Sequence, residues 1–480
     1  MSTPRRMSLQ NHVLNPVVGR VLRSPLHRLL SGGVALITVT GRRTGRSYTL
    51  PVMYARGEDG LHVLVGRHAR KTWWHNVRTP APVRLLIGRQ EVEGTAELLD
   101  GPQAVAARRN YLARFPQAAR EVGEDTPVIR IRPRPEPRSD APPYQHVVVS
   151  RFGGPEVLEL AEAPRPEPGP GEARIKVVAA GVSFTDVLMR EGAYPGGPRP
   201  PFTPGYDVVG TVDALGPETG GAVPGDLVAA LTVHGGYAEY VCVPVSGLVP
   251  VPAGVDPAEA VCLPLTYVTA YQLLRRVARV RPGERVLVHG AAGAVGIALL
   301  QLGRAAGLEM YGTATADQAG LVAELEATPI DYRAGDVVAR VRSATGGGVD
   351  AVLDGIGGAV ALRSYRALRR GGRLVLFGHY AALRDGRRDL RRTAGFYAAG
   401  AAVLAASLLP GGRRVRTYRI ARLRDRRPDL YRHDLEHLFA LLVQGRISPR
   451  VAARLPLKEA RGAHERIGRE AVTGRQVLMP

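Results

Sequence analysis

VLVHGAAGAVG, residues 286–296, decides the fold of the larger part of this chain. Val286, Leu287 and Val288 form a short apolar run that ends in a turn of small residues. A helical pattern, IALLQLGRAAG (297–307), follows at once. Such a strand–turn–helix unit aims backbone N–H groups and a helix N-terminus at a pyrophosphate. Gly290, Gly293 and Gly296 recur every third residue. Small residues there let the backbone approach phosphates and let helix and strand sit close. A glycine-rich turn in another α/β protein has the same look, so the neighbouring pattern must carry the reading.

That pattern is an alternation of strands and helices. VLVHG, MYGTAT (310–315), PIDYR (329–333), AVLDGIG (351–357) and RLVLFGHY (373–380) read as strands, with helical stretches between most of them. Alternation of this kind predicts a parallel sheet covered on both faces. Upstream, HVVVSRFG (146–153), VLELAEA (157–163) and EARIKVVAAGVS (172–183) are short strands without helices between them. Further upstream RPRPEPRSDAPP (132–143) favours a stiff extended linker. Before it lie VALITVT (34–40), YTLPVMYAR (48–56), GLHVLVGR (60–67), VRLLIG (83–88), VEGTAEL (92–98) and PVIRIRP (127–133). A helical stretch near 12–31 and a helix over 101–123 accompany them. Many short strands with turn signals predict a small barrel.

The expected architecture is therefore α/β plus β-barrel. Six segments follow: a barrel over 1–132, the linker 133–143, a β domain from 144 to 265, a doubly wound domain over 266–383, a basic and apolar insert over 384–432, and a return segment 433–480.

The region 144–480 resembles the zinc-independent quinone reductase branch of the medium-chain dehydrogenase/reductase superfamily. The matching motifs are GGPEVLEL, PGPGEARIKVVAAGVSFTDVLMREGAYP, PPFTPGYDVVGTV, PGDLVAAL, GGYAEYV, LPLTYVTAYQLL, the glycine fingerprint, VLDGIGG, LVLFGHY and TGRQVLMP. The resemblance implies a GroES-like catalytic domain with an inserted Rossmann sheet. It implies hydride transfer from NAD(P)H to a quinone or an α,β-unsaturated carbonyl. Zinc-dependent members place Cys and His ligands where this chain has Ser183 and Tyr206, and no other Cys/His cluster replaces them. No metal is expected.

The resemblance also assigns roles. Gly290, Ala291, Ala292, Gly293, Ala294, Val295 and Gly296 would cradle the pyrophosphate. Thr315 and Tyr332 would meet the adenosine end. Asp354, Gly355, Ile356 and Gly357, with Phe377, Gly378 and His379, would lie near the nicotinamide, outside the carboxyl ends of their strands. Ser183, Asp186 and Tyr194 are the expected catalytic residues. Ser183 stands where relatives often have Asn and has a shorter reach. Tyr194 is the preferred proton relay or carbonyl donor. NADP(H) is favoured over NAD(H), although ATADQAG (314–320) carries Asp317 and no basic residue. Arg333 or Arg475 would then serve the 2′-phosphate.

Residues 1–132 resemble the deazaflavin-dependent nitroreductase family, a split β-barrel, through VTGRRTGRSYTLPVMY (39–54), KTWWHNV (71–77) and the PVIRIRP end. The family's basic turn, which binds anionic parts of a deazaflavin coenzyme, corresponds here to Arg42, Arg43, Thr44, Gly45 and Arg46. Lys71, Trp73, Trp74 and Asn76 fit the contacting segment that follows. The coenzyme would be the deazaflavin F-420 or flavin mononucleotide. Guanidinium forks suit a phosphodiester and a glutamate tail.

Charge agrees with two local sites. The chain carries a net +22, of which +12 falls in residues 1–132 (21 Lys+Arg, 9 Asp+Glu) and +10 in 384–432 (14 Arg, 4 Asp). No nucleic-acid motif accompanies these patches, so nucleic acid is not an expected partner. Two cysteines exclude a disulfide framework. No run reaches the ~18 apolar residues of a membrane span, and a cytoplasmic location is expected. The run GFYAAGAAVLAASLLP (395–410) lies between arginine-rich flanks. It reads either as a helix over the active-site mouth or a dimer interface, or as a helix making peripheral membrane contact. A homodimer is expected. The alternative to a reductase is a nucleotide-binding membrane-associated or regulatory protein with little turnover.

Overall fold

The computed structural model describes residues 32–41, 47–57, 59–66, 68–87, 90–120, 122–123, 125–133, 142–384, 387–408, 412–468 and 472–480, with Val18 and Leu22 as isolated positions. Apart from those two, the stretch 12–31 lies outside the described residues, as do the turn 42–46 and residues 134–141 of the linker. The chain divides into two units, Met1–Arg138 and Ser139–Pro480.

The first unit is built on an antiparallel sheet of seven strands. Their order is Ser47–Met53, Val34–Thr40, Ala81–Ile87, Gln90–Leu99, Val128–Pro133, Gly60–Leu64 and Ala55–Gly57. Ile37, Val63, Leu85, Ile129 and Ile131 form its core. The helix Gly101–Arg114 covers the end carrying Ala55 and Leu64, through Ala107 and Tyr111. It stops well short of residue 123. Phe115 leaves the helical region (φ −127°, ψ 69°) because Pro116 follows it, and a residue before proline is pushed out of the α conformation.

The second unit holds two layers of sheet. In the first, the order is Val249–Pro250, Leu227–Ala230, Val208–Leu215, Glu172–Gly181, Arg475–Met479 and Val451–Pro456, and Tyr240–Pro244 also pairs with Glu172–Gly181. The chain's last strand thus returns to the first domain, with Ala180 opposite Leu478 and Gly181 opposite Val477. The second sheet is parallel throughout, in the order Thr328–Asp331, Glu309–Ala314, Arg285–Val288, Val349–Asp354, Leu368–Leu376, Arg414–Thr417. This is the doubly wound order. Its direction of winding reverses between Arg285–Val288 and Val349–Asp354, which is where such sheets bind ligands.

The last strand corrects the sequence reading. Residues 384–432 are not an insert outside the nucleotide domain; the part up to Thr417 completes it. Leu390–Ala406 is the crossover helix, capped by the Asp389 carboxylate, which accepts from Arg392 N at 3.0 Å. Phe396, Ala399 and Val403 form its inward stripe. Arg414–Thr417 then lies parallel to Leu368–Leu376, with Val415 opposite Leu374. The reading failed because the strand is RVRT, which looks like a charged loop. A sheet edge tolerates and is protected by such residues. No helix among the described residues is long and apolar enough to cross a membrane.

Both thiols are kept protonated by burial. Cys262 is fully buried and pushed up to about 12; the half-buried Cys242 is pushed up to about 11. Since the thiolate is the nucleophile, iodoacetamide at about pH 8 should leave Cys262 unmodified in the native chain and alkylate it on unfolding. Mass spectrometry of peptides would show this, and native labelling of Cys262 would contradict it.

Candidate active site

The fingerprint forms a cradle whose shape depends on missing side chains. Gly290 turns the chain with φ +71°. Its N–H donates to Thr313 Oγ1 (3.2 Å), and Ala291 N donates to Thr313 O (3.0 Å), so the second strand holds the turn. At Gly296 a Cβ would stand 2.2 Å from Gly290 O. Gly293 is the N-cap of the helix Ala294–Ala305 and offers no side-chain cap. The first N–H groups of that helix are thus left for a ligand, together with the positive end of its dipole.

The cradle opens into a cavity of about 650 Å³ at the switch point of the sheet. Gly290, Ala292, Gly293, Ala294, Val295 and Gly296 line it. So do Thr315, Asp317, Tyr332 and Arg333 at one end, and Gly355, Ile356, Phe377, Gly378 and His379 at the next strand ends. Gly378 must lack a side chain, because a Cβ would stand 1.8 Å from Gly355 O. The crossover helix braces this wall: the Phe396 ring stacks on His379, centroids 5.1 Å apart, and fills the space beside Gly357. At the far end, the Thr315 hydroxyl holds the Asp317 carboxyl below its usual range. Arg333 lies 5.7 Å from the Tyr332 ring centre.

The other lobe of the same cavity belongs to the first domain and contains Ser183, Phe184, Leu188, Tyr194, Tyr206 and Thr266. Ser183 caps the helix Phe184–Arg190 in a capping box with Asp186. Its Oγ donates to Asp186 Oδ2 at 2.7 Å and accepts from Asp186 N at 3.3 Å. The Ser183 proton is thereby engaged, so its remaining lone pair is what it can offer a ligand. Tyr194 is half-buried, and its hydroxyl lies 3.0 Å from that of the buried Tyr206. Burial pushes the Tyr206 phenol up, so it stays protonated.

Four expected site residues of the second unit are not placed as the sequence suggested. Asp186 is fully buried behind the cleft, where its carboxylate accepts from Ser183 N (2.9 Å), Gly205 N (3.0 Å) and Tyr237 OH (3.3 Å). It orders the loop and does not line the cavity. Burial raises its carboxyl, and the hydrogen bonds from Ser183 and Gly205 oppose that rise. Asp354 is likewise buried. Its Oδ1 accepts from Ile356 N and Gly357 N, which shapes the loop that does line the cavity. Ala291 turns inward, its N–H taken by Thr313. Arg475 cannot serve a 2′-phosphate. Its guanidinium forks onto Asp207, with Nη1 also donating to Val261 O (3.1 Å) and Thr266 Oγ1 (3.0 Å).

The sequence reading missed Tyr206 as a hydroxyl partner, and it missed His289, Tyr418 and Arg419, all of which line the cavity. His289 is kept neutral by burial, with Nδ1 3.1 Å from Thr313 Oγ1. It sits inside the fingerprint, at a strand end, and that position was the available signal.

In the first unit, Arg42, Arg43, Thr44, Gly45 and Arg46 lie outside the described residues. The segment Trp73–Val77 packs against Val34–Thr40, the strand that precedes those residues in the chain. Trp74 belongs to the core, beside Val77, and is not a surface for a coenzyme. Trp73 and Asn76 are half-buried and Lys71 is exposed.

Three family models match. Residues 18–132 match F-420H(2)-dependent quinone reductase, 169–253 the alcohol dehydrogenase GroES-like domain, and 325–478 the zinc-binding dehydrogenase. The chain is 34% identical over 344 residues to the rat synaptic vesicle membrane protein VAT-1 homolog, covering 71% of this chain and 85% of that protein. It is 35% identical over 237 residues to mouse quinone oxidoreductase, covering 48% and 72%. The crystal structure of Escherichia coli quinone oxidoreductase complexed with NADPH superimposes with a TM-score of 0.62 at 28% identity, covering 70% of this chain and all of that one. The name of one matching model raises zinc, and the donor set answers it. Ser183, Tyr194 and Tyr206 present hydroxyls, and Tyr206 is held protonated. Among the described residues no group of His, Cys, Asp and Glu could hold a metal ion. These residues do not fit zinc.

Proposed function

The chain belongs to the quinone oxidoreductase and VAT-1 group of medium-chain dehydrogenases/reductases, and from that premise we propose that residues 139–480 reduce a quinone or an α,β-unsaturated carbonyl with NADP(H). One observation carries the proposal. The glycine cradle and the Tyr194–Tyr206 hydroxyl pair open into the same cavity.

The cradle fits a dinucleotide: Gly296 and Gly378 lack the Cβ atoms that would collide with Gly290 O and Gly355 O and push its walls apart. Gly293 and the helix start at Ala294 would hold the pyrophosphate, and Thr315, Tyr332 and Arg333 the adenosine end. Arg333 supports the phosphorylated form, as does the NADPH-bound relative. The nicotinamide, when bound, supplies the hydride. Ser183, with its own proton on Asp186, accepts a hydrogen bond from an amide or hydroxyl. Tyr194 donates to the acceptor oxygen, and Tyr206 donates in turn to Tyr194. Hydride on the conjugated carbon and the proton on oxygen give the enol, which tautomerises to the saturated ketone or, from a quinone, to the hydroquinone. Tyr194→Phe should therefore lower kcat roughly a hundredfold while the NADPH Kd changes little, measured by steady-state kinetics and fluorescence titration.

The test is NADPH consumption by the full chain with 1,4-naphthoquinone and with simple enones. Tight NADPH binding without turnover on any of them would favour a nucleotide-binding regulatory protein instead.

For the first unit we propose a split barrel that binds reduced deazaflavin F-420 and reduces similar acceptors. The basic turn 42–46, with Lys71, Trp73 and Asn76, would hold the coenzyme, and the matching family model supports this. Native mass spectrometry of the purified chain distinguishes F-420, flavin mononucleotide and no coenzyme.

A further inference from the structure

The substrate lobe contains a charge that the proposed reaction does not use. Around Tyr194 its walls are apolar or aromatic, with Phe184, Leu188, Tyr380 and Tyr418. Arg419 stands among them, just before the short helix Ile420–Arg426. It is exposed, and its position is fixed on two sides. Nη2 donates to Pro195 O at 2.7 Å, and the guanidinium carbon lies 5.5 Å from the centre of the Tyr194 ring. Neither contact neutralises it. Among the described residues no carboxylate pairs with Arg419. Its neighbours differ: Arg424 pairs with Asp425, and Arg475 with Asp207.

An oriented guanidinium without a carboxylate partner, in a lobe whose other arginine, Arg475, is already neutralised by Asp207, is a recognition element for an anion. Arginine presents several N–H donors in a fixed fork that suits carboxylate, sulfonate or phosphate. We propose that Arg419 selects an acceptor carrying such an anionic group close to the carbonyl that Tyr194 meets. The anion and the carbonyl oxygen would lie close together on one substrate, because the Arg419 guanidinium carbon is 5.5 Å from the centre of the Tyr194 ring. The proposal rests on the reductase reading, and it narrows the substrate class from any quinone or enone to an anionic one. It also places a specificity residue in the segment just after the sheet's last strand.

The experiment compares two acceptors on the full chain, 1,4-naphthoquinone and 1,4-naphthoquinone-2-sulfonate. The readout is the ratio of their kcat/KM values, wild type against Arg419→Gln, which removes the charge and keeps a donor for Pro195 O. The ratio should shift roughly tenfold against the sulfonate in the variant. Arg419→Lys should recover part of it. Added salt should narrow the ratio in the wild type and leave the variant nearly flat, because screening acts on the charge. Binding of naphthalene-2-sulfonate relative to 2-naphthol, which needs no turnover, gives a second measurement with the same expected shift. If both quinones are reduced and neither ratio moves in Arg419→Gln, the proposal is overturned and the reductase reading stands. If neither quinone is reduced but naphthalene-2-sulfonate binding depends on Arg419, the anion site stands and the reductase reading fails. Loss of both overturns both.

Discussion

Gly296→Ala is expected to abolish useful NADPH binding. A Cβ there would stand 2.2 Å from Gly290 O and 2.6 Å from Ala291 O. Both are backbone atoms of the turn itself, so no side chain can swing away to make room. The helix Ala294–Ala305 would have to lift off the strand Arg285–Val288, and its open N-terminus would move with it. Overpacking of this kind costs about 1–3 kcal/mol, and here the displacement falls on the groups that meet the pyrophosphate. The dissociation constant should rise on the order of a hundredfold or more, with a lower Tm. Gly293→Ala, at a residue that also meets the proposed pyrophosphate site, is the control for stability alone. Its φ is −77°, and its Cβ would meet only Gly290 O, at 3.4 Å. That variant should keep its stability. Fluorescence titration with NADPH measures the loss, and an unchanged affinity in Gly296→Ala would remove the cradle from the argument.

The contrast between these glycines shows what could be read from sequence. A fingerprint is local: strand, turn and helix run from Arg285 to Ala305 without a break. The same holds for Thr315, Gly355, Ile356, Phe377, Gly378 and His379, which follow successive strands and do line the cavity. What sequence hides is pairing across distance and identity at an edge. Tyr206 reads as the place of a missing zinc ligand, and only the fold shows its hydroxyl against Tyr194. Asp186, expected to be catalytic, and Asp354, expected near the nicotinamide, use their carboxylates on backbone N–H groups, of Ser183 and Gly205 and of Ile356 and Gly357. Arg414–Thr417 has too many arginines to look like a strand, because at an edge two of its sides face water.

Arg475 is the clearest case of hidden pairing, and replacing it should have the largest effect on stability. Arg475 and Asp207 lie 268 residues apart in sequence and are 3% and 0% exposed. Nη1 donates to Asp207 Oδ2 at 2.8 Å, and Nη2 donates to Oδ1. Asp207 is pushed up to about 6 by burial, with the Arg475 charge opposing that rise. Arg475→Met leaves this carboxylate buried without its cation, and such a loss costs about 3–5 kcal/mol. The pH dependence follows from the direction of the shift. A carboxyl whose folded pKa exceeds its unfolded value of 3.8 destabilises the fold once it ionises, so its contribution worsens from about pH 4 to about pH 6. Without Arg475 the folded pKa rises further, so the variant's deficit should be larger at neutral pH and shrink on acidification. Asp207→Leu combined with Arg475→Met should recover most of the stability, because it removes the stranded charge as well as its partner. Thermal unfolding of the single and double variants at neutral and acidic pH measures this. Equal losses in both would mean that Arg475 acts through Val261 O and Thr266, as a strut for the cleft wall, and not through its charge.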